Sequence, residues 1–162
     1  MTVFMASVLA PSVRAQCNGA AATGTASCTL PVVATATINA VARLSISSTA
    51  TTLTAPTAGD FGTIDGVTSA GPTVTVMSNT GYTLTASAAA STWTGPTGAS
   101  KPATHLKMKV GAGSVMALGQ VGTSTTGTAS TNYVISYNAI YDWTTDKPGS
   151  YSLVVNYTLT AP

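Results

Sequence analysis

One stretch of this sequence constrains its fold more than any other: VVATATINAVARLSI, residues 32–46. Apolar side chains occupy every second position, and mostly polar ones lie between them. This alternation is typical of a β-strand with one buried face. The face is formed by the even-numbered residues Val32, Ala34, Ala36, Ile38, Ala40, Ala42, Leu44 and Ile46. The sequence therefore predicts one extended strand over residues 32–46.

The composition of the rest of the chain also favours β-structure. Hydrophobic residues make up 44% of the 162 positions but charged residues only 6%, against roughly 25% in an average globular domain. Thr, Ala, Val, Ser and Gly dominate, and alternating segments such as ATHLKMKV and SYSLVVNYTLTA are separated by Gly, Pro and Asn turn signals. We expect residues 31–162 to form an all-β domain, an antiparallel immunoglobulin-like β-sandwich of about seven to nine strands with an N-terminal extended strand.

The first fifteen residues resemble the end of a secretory signal peptide. A short apolar run is followed by Pro11 and by Val-Arg-Ala, which suits cleavage after Ala15. We therefore expect residues 1–15 to be a signal-peptide remnant and the protein to be exported and extracellular. No apolar run reaches the roughly 18 residues of a membrane span, so none is expected.

Residues 16–30 carry the two cysteines of the chain, Cys17 and Cys28, on either side of a Gly- and Ala-rich stretch. A disulfide between them fits an exported protein. Free thiols or an intermolecular bridge remain alternatives. A metal pair lacks partner ligands, because the chain has one histidine and no CxxC motif.

The sequence contains few residues or motifs that could catalyse a reaction or bind a ligand. The net charge of +2 comes from scattered basic residues, which predicts no nucleic-acid partner. Asp60, Asp65, Asp142 and Asp146 occupy turn-like positions, where capping of the local backbone is the favoured role and a calcium site the weaker one. No nucleophile elbow or phosphate-binding loop is present. We expect no enzyme activity, no catalytic or cofactor-binding residue, no metal ligand and no cofactor.

One histidine and two tryptophans are further candidates for a surface role. His105 lies on the lysine-bearing side of its predicted strand, so an exposed imidazole is expected. Trp93 and Trp143 lie in loops, where each could stack on a sugar ring or anchor its loop. A surface module that binds carbohydrate is therefore a possible function, with surface glycans as partners.

The length of the strand over residues 32–46 points to a different function. Fifteen extended residues span about 50 Å, whereas a domain of this size is only about 35–40 Å across. The strand either bends near Asn39 and Ala40 between two sheets of its own domain, or extends beyond it. An extended strand with so little charge is suited to pairing with another chain.

Several short motifs add a family resemblance. The signal-like leader, the cysteine pair, the alternating N-terminal strand, DFGTIDG, VTVMSNTGYTLTAS and the closing PGSYSLVVNYTLTAP together resemble secreted bacterial coat and fimbrial β-sandwich domains. The nearest type is the spore-coat-U domain of archaic chaperone–usher pilins. Members of that family polymerise by donor-strand complementation, so the resemblance implies that residues 32–46 fill an open groove in a neighbouring subunit. We therefore expect a structural subunit that forms a filament or coat with copies of itself, and the resemblance implies that this filament or coat lies on a bacterial cell surface.

Overall fold

The computed structural model describes residues 32–162, which are nearly all β-structure. All the pairs between strands are antiparallel, and they form two sheets. The all-β sandwich expected from the sequence is confirmed. The strands are β1 (Ala42–Ile46), β2 (Val67–Ala88), β3 (Leu106–Val110), β4 (Met116–Ala117), β5 (Gln120–Ala139) and β6 (Val155–Thr160), with single-turn 3-10 helices at Ala58–Asp60 and Ala103–His105.

The two longest strands fold over and take part in both sheets. On β2, Ser69 pairs with Tyr137 of β5, and Ala86 pairs with Tyr157 of β6. Ser69 and Ala86 would lie about 55 Å apart on a straight strand. The hydroxyls of Tyr137 and Tyr157 nevertheless form a hydrogen bond of 2.7 Å. The two halves of β2 must therefore face each other across the core.

The fold in β2 coincides with irregularities in its ladder with β5. Register shifts fall between Ala70 and Thr73, between Val76 and Ser78, and between Leu84 and Thr85. Such bulges bend a strand and increase its twist. Residues 78–81, with the sequence SNTG, therefore lie inside one continuous strand. Because β2 and β5 are each one long continuous strand, the described residues contain six strands, fewer than the seven to nine expected.

The core lies between the two halves of these long strands. At the start of β2 the odd-numbered Ser69 is buried, but from residue 72 to residue 86 the even-numbered side chains point inward, and Val74, Val76 and Leu84 are each 0% exposed. From residue 72 to residue 86 the alternation is thus continuous, so one face of this part of β2 covers the core from both sides. The buried cluster consists of Val74, Val76, Tyr82, Leu84, Ala86, Leu106, Met108, Val121, Ile135 and Tyr137.

The two edges of β2 are occupied differently. Strand β5 pairs along one edge from Val67 to Thr85. The other edge is shared by β1, which pairs with residues 74–78, and β6, which pairs with residues 83–88. Since β2 folds over between these two positions, β1 and β6 lie on opposite sheets at the same side of the sandwich.

The strand expected over residues 32–46 is formed only in part. Residues 42–46 form β1 and pair with β2 of the same chain, whereas residues 32–41 have no regular secondary structure. The sequence pattern missed this boundary because the alternation of apolar residues continues through it unchanged.

Substitution of Gly127, which lies on β5, tests whether the backbones of β2 and β5 are in close contact where β2 folds over. An alanine methyl group at position 127 would lie 2.7 Å from the carbonyl carbon of Asn79 and 2.9 Å from its Cα. Since this neighbour is backbone, we expect Gly127→Ala to lower the free energy of unfolding by about 1–3 kcal/mol. Urea unfolding measures the change.

Gly119→Ala is the matched control, because the nearest atom to its added methyl group is 3.9 Å away. Equal unfolding midpoints for the two variants would contradict close contact between the backbones at the fold.

Candidate functional site

A groove of about 650 Å³ opens at the side of the sandwich where β1 and β6 lie. One wall is formed by residues 46–56, which continue from β1, and the other by residues 149–157, which lead into β6. Pro72, Leu106 and Tyr137 are also among the lining residues, so the groove reaches the hydrophobic core.

The apolar side chains of the groove are incompletely covered. Leu53, Trp93, Leu153, Val155 and Tyr157 all line it, and all pack against the core while remaining half-buried. By contrast, the inward side chains of β2 are almost fully buried. The core is therefore open to solvent along this side.

Both walls also end in a strand edge. Among the described residues, β1 and β6 each pair with β2 and with no second strand. The other edge of each strand carries backbone N–H and C=O groups that an added strand could use. An apolar groove beside such edges can bind an extended peptide.

The chain itself carries a segment of this kind. Val32, Val33 and Ile38 are exposed by 88%, 87% and 84% of their surface, and residues 32–38 form no strand. The segment contains no charged residue. It therefore combines alternating apolar side chains with an unpaired, exposed backbone.

Asn79 fixes the chain where this exposed segment ends. Its Oδ1 accepts a hydrogen bond of 2.7 Å from the N–H of Val41, and its Nδ2 donates one of 2.8 Å to the carbonyl of Asn39. The backbone N–H of Asn79 also donates to the carbonyl of Val41, at 3.1 Å. The chain is thus held to β2 from residue 39 onward.

The predicted assembly residues consequently divide into two groups. Val32, Ala34, Ala36, Ile38 and Ala40 are exposed and lie outside any strand. Ala42, Leu44 and Ile46 lie in β1, with Leu44 packed against the core and Ile46 lining the groove of its own chain.

The cysteines were predicted to form a disulfide, and the N-terminal fifteen residues to be a signal remnant. Cys17, Cys28 and residues 1–15 all lie outside the described residues.

A buried ion pair borders the groove. The Nζ of Lys101 donates hydrogen bonds to Oδ2 of Asp146 and to the carbonyl of Ile140, and the side chains of the pair are 2% and 5% exposed. Nζ also lies 4.5 Å from the ring centroid of Tyr141 and 5.7 Å from that of Trp93. Sequence reasoning missed this pair because 44 residues of unrelated strands and loops separate its members, and no motif connects them.

The two tryptophans differ in their surroundings. Trp93 is half-buried in the groove, and its Nε1 donates a hydrogen bond of 3.1 Å to the carbonyl of Pro102. Trp143 is 68% exposed and stacks on Phe61, with ring centroids 4.3 Å apart and planes inclined by 25°. Only Trp143 offers a broad aromatic surface to solvent.

Two aspartates bond to their own turns. Hydrogen bonds from Thr57 lower the pKa of Asp60, and hydrogen bonds from Thr144 lower that of Asp142. Both carboxylates are therefore used locally. Among residues 32–162, no three His, Cys, Asp or Glu side chains converge on a possible metal position.

No protein-family model, no curated protein and no solved structure matches the chain. Within the described part of the chain, no helix has the length and hydrophobicity needed to cross a bilayer.

His105 is half-buried rather than exposed, and its Nδ1 is buried without a hydrogen-bond partner. The prediction of an exposed imidazole is wrong because His105 ends a 3-10 turn, where strand alternation does not apply. Burial, reinforced by the charge of Lys101, lowers the pKa of this imidazole.

The lowered pKa of His105 predicts a pH dependence of stability. Below its ordinary value of about 6.5, the unfolded chain binds a proton that the folded chain does not, so the free energy of unfolding falls as the pH decreases from 7 to 5. His105→Gln should flatten this dependence, since His105 is the only histidine in the chain. Urea unfolding at several pH values measures it. An unchanged slope in the variant would contradict the assignment.

Proposed function

We propose that the protein is a structural subunit of an extracellular filament or surface coat. Residues 32–38 of one chain insert as a strand into the groove of the next, so that copies of the same chain form a homopolymer. The observation that carries this proposal is the presence, in one chain, of an open apolar groove and an exposed apolar segment of matching character.

The chemistry of the two parts is complementary. An inserted strand gains backbone hydrogen bonds from a wall edge, and its even-numbered side chains enter the groove. Val32 and Ile38 then become buried, and burying each such side chain is worth about 1.5–3 kcal/mol. Because β1 already pairs with its own chain, the inserted part is narrower than residues 32–46 and comprises residues 32–38.

The low charge of the chain supports the same proposal. Soluble β-proteins commonly protect free edges with charged residues or proline. Strand β6, Val155–Thr160, contains neither, and β1 contains only Arg43. Strand edges with so few charged residues and no proline are suited to pairing with a strand of another chain. The signal-like sequence of the first fifteen residues supports an assembly outside the cell.

Aspartate at position 38 tests the inserted segment. Ile38→Asp removes the burial of an apolar side chain and brings a carboxylate into an apolar groove, which should weaken association at least about 10- to 100-fold. We expect filaments of the full chain in negative-stain images and none for this variant. Thr37→Asp is the matched control, since it adds the same charge to the opposite face and should leave filaments intact.

Mixing two variants tests the donated segment and the accepting groove separately. Leu53→Asp places a charge in the groove and blocks insertion from the accepting side. This variant can still donate its segment to the Ile38→Asp chain, so a mixture should stop at heterodimers by sedimentation velocity, while each variant alone stays monomeric. Circular dichroism verifies that both are folded. Filaments in the mixture, or folded monomers of the unmodified chain, would contradict strand insertion.

The exposed Trp143 supports a second candidate function, a surface module that binds carbohydrate. One face of its indole rests on Phe61 and the other is open, and a flat apolar ring can stack on the apolar face of a sugar. Trp93 is less suited to this role because its indole lines the groove and its Nε1 is already bonded.

Retention on immobilised polysaccharide tests this second function. Trp143→Ala should abolish retention on at least one of cellulose, chitin and mannan. Ile64→Ala, which also removes a highly exposed apolar side chain, should not change it. If the unmodified chain binds none of the three, or if both variants lose retention equally, stacking on Trp143 is not the binding mode.

A further inference from the structure

Lys101 has the largest side chain among the fully buried residues of the described part of the chain. Placing a lysine and an aspartate in such a position is costly, because both lose the solvation of their charges. The pair therefore calls for an explanation beyond the packing of the core.

The amine nitrogen of Lys101 and the carboxyl group of Asp146 are held in direct contact. Nζ of Lys101 is in hydrogen-bond contact with Oδ2 of Asp146, so the carboxyl carbon is only one C–O bond further away. The carbonyl of Ile140 holds Nζ on another side. The carboxylate also accepts hydrogen bonds of 3.2 Å from the N–H of Asp142 and from the hydroxyl of Thr145. Because the two groups are already positioned, a reaction between them does not incur the entropy loss of bringing two reactants together.

The surroundings exclude most solvent. The rings of Tyr141 and Trp93 lie 4.5 and 5.7 Å from Nζ. In such a low-dielectric site, transfer of one proton along the existing hydrogen bond converts the ion pair into a neutral amine and a neutral carboxylic acid. A neutral amine is a nucleophile, and a carboxylic acid has a better leaving group than a carboxylate.

We propose that Lys101 and Asp146 condense to form an intramolecular amide bond. One ammonium proton passes to the carboxylate, and the nitrogen lone pair attacks the carboxyl carbon. The C–OH bond then breaks, and the hydroxyl leaves with a second proton from nitrogen as one molecule of water. Ammonium and carboxylate are thus converted to an amide and water, with no change of oxidation state and no other reactant. Lys101 lines the groove, which gives the water a route out.

The bond joins two separate parts of the chain. Lys101 precedes β3 in the connection from β2, and Asp146 lies in the connection from β5 to β6. Their link would fix the segment that leads into β6 to the connection between β2 and β3, beside the groove. The bond does not depend on strand insertion, since both of its residues belong to one chain.

Mass spectrometry of the reduced and denatured full chain tests the proposal. Trypsin does not cut before proline, so Lys101–Pro102 and Lys147–Pro148 stay intact, and the two residues fall in peptides 44–107 and 110–162. We expect these peptides to be recovered joined, with a combined mass lower by one water molecule. Recovery of the two peptides separately at their full masses would overturn the proposal.

Lys101→Arg and Asp146→Ala are the control variants. Arginine keeps the positive charge but does not condense with a carboxylate under these conditions, and alanine removes the carboxyl group. Both variants should yield separate peptides at full mass, and this readout does not depend on how stable either variant is. A joined pair in either variant would show that the link lies elsewhere and would refute the assignment.

Discussion

The structure depends on the unequal pairing of the two edges of β2. Strand β5 follows one edge for almost its whole length, whereas the other edge is divided between two short strands, β1 and β6. Because β2 folds over, these short strands belong to facing sheets and leave a gap between them. The half-burial of the inward side chains of β6 follows directly from this arrangement.

Polar contacts hold the side of the sandwich beside this gap. The hydrogen bond between Tyr137 and Tyr157 joins the two sheets, and burial raises the pKa of both phenols, so they stay protonated at neutral pH. Trp93 bonds to a backbone carbonyl, and Lys101 bonds to Asp146 and to Ile140. These directional contacts, unlike apolar ones, do not readily rearrange to close the gap.

The sequence predicted the sandwich because inward and outward faces are encoded locally by alternation, as in Val74, Val76 and Leu84. It could not predict where a long strand bends, since alternation continues through the irregularities of β2 that follow Val76 and Leu84. For the same reason the boundary between Ile38 and Ala42 was invisible. The contact of Lys101 with Asp146 was also beyond reach, because it depends on how distant loops meet.

The anchoring of Asn39 and Val41 by Asn79 has a mechanical consequence. In a filament assembled as proposed, tension along the fibre enters each chain immediately before this anchor and passes into β1. Force directed along a strand loads all the pairs of the β1–β2 ladder together, in shear, whereas force across it would peel them apart one at a time. In such a filament, Asn79 would keep the force at the end of the ladder, so that each subunit would resist it with all the pairs of β1.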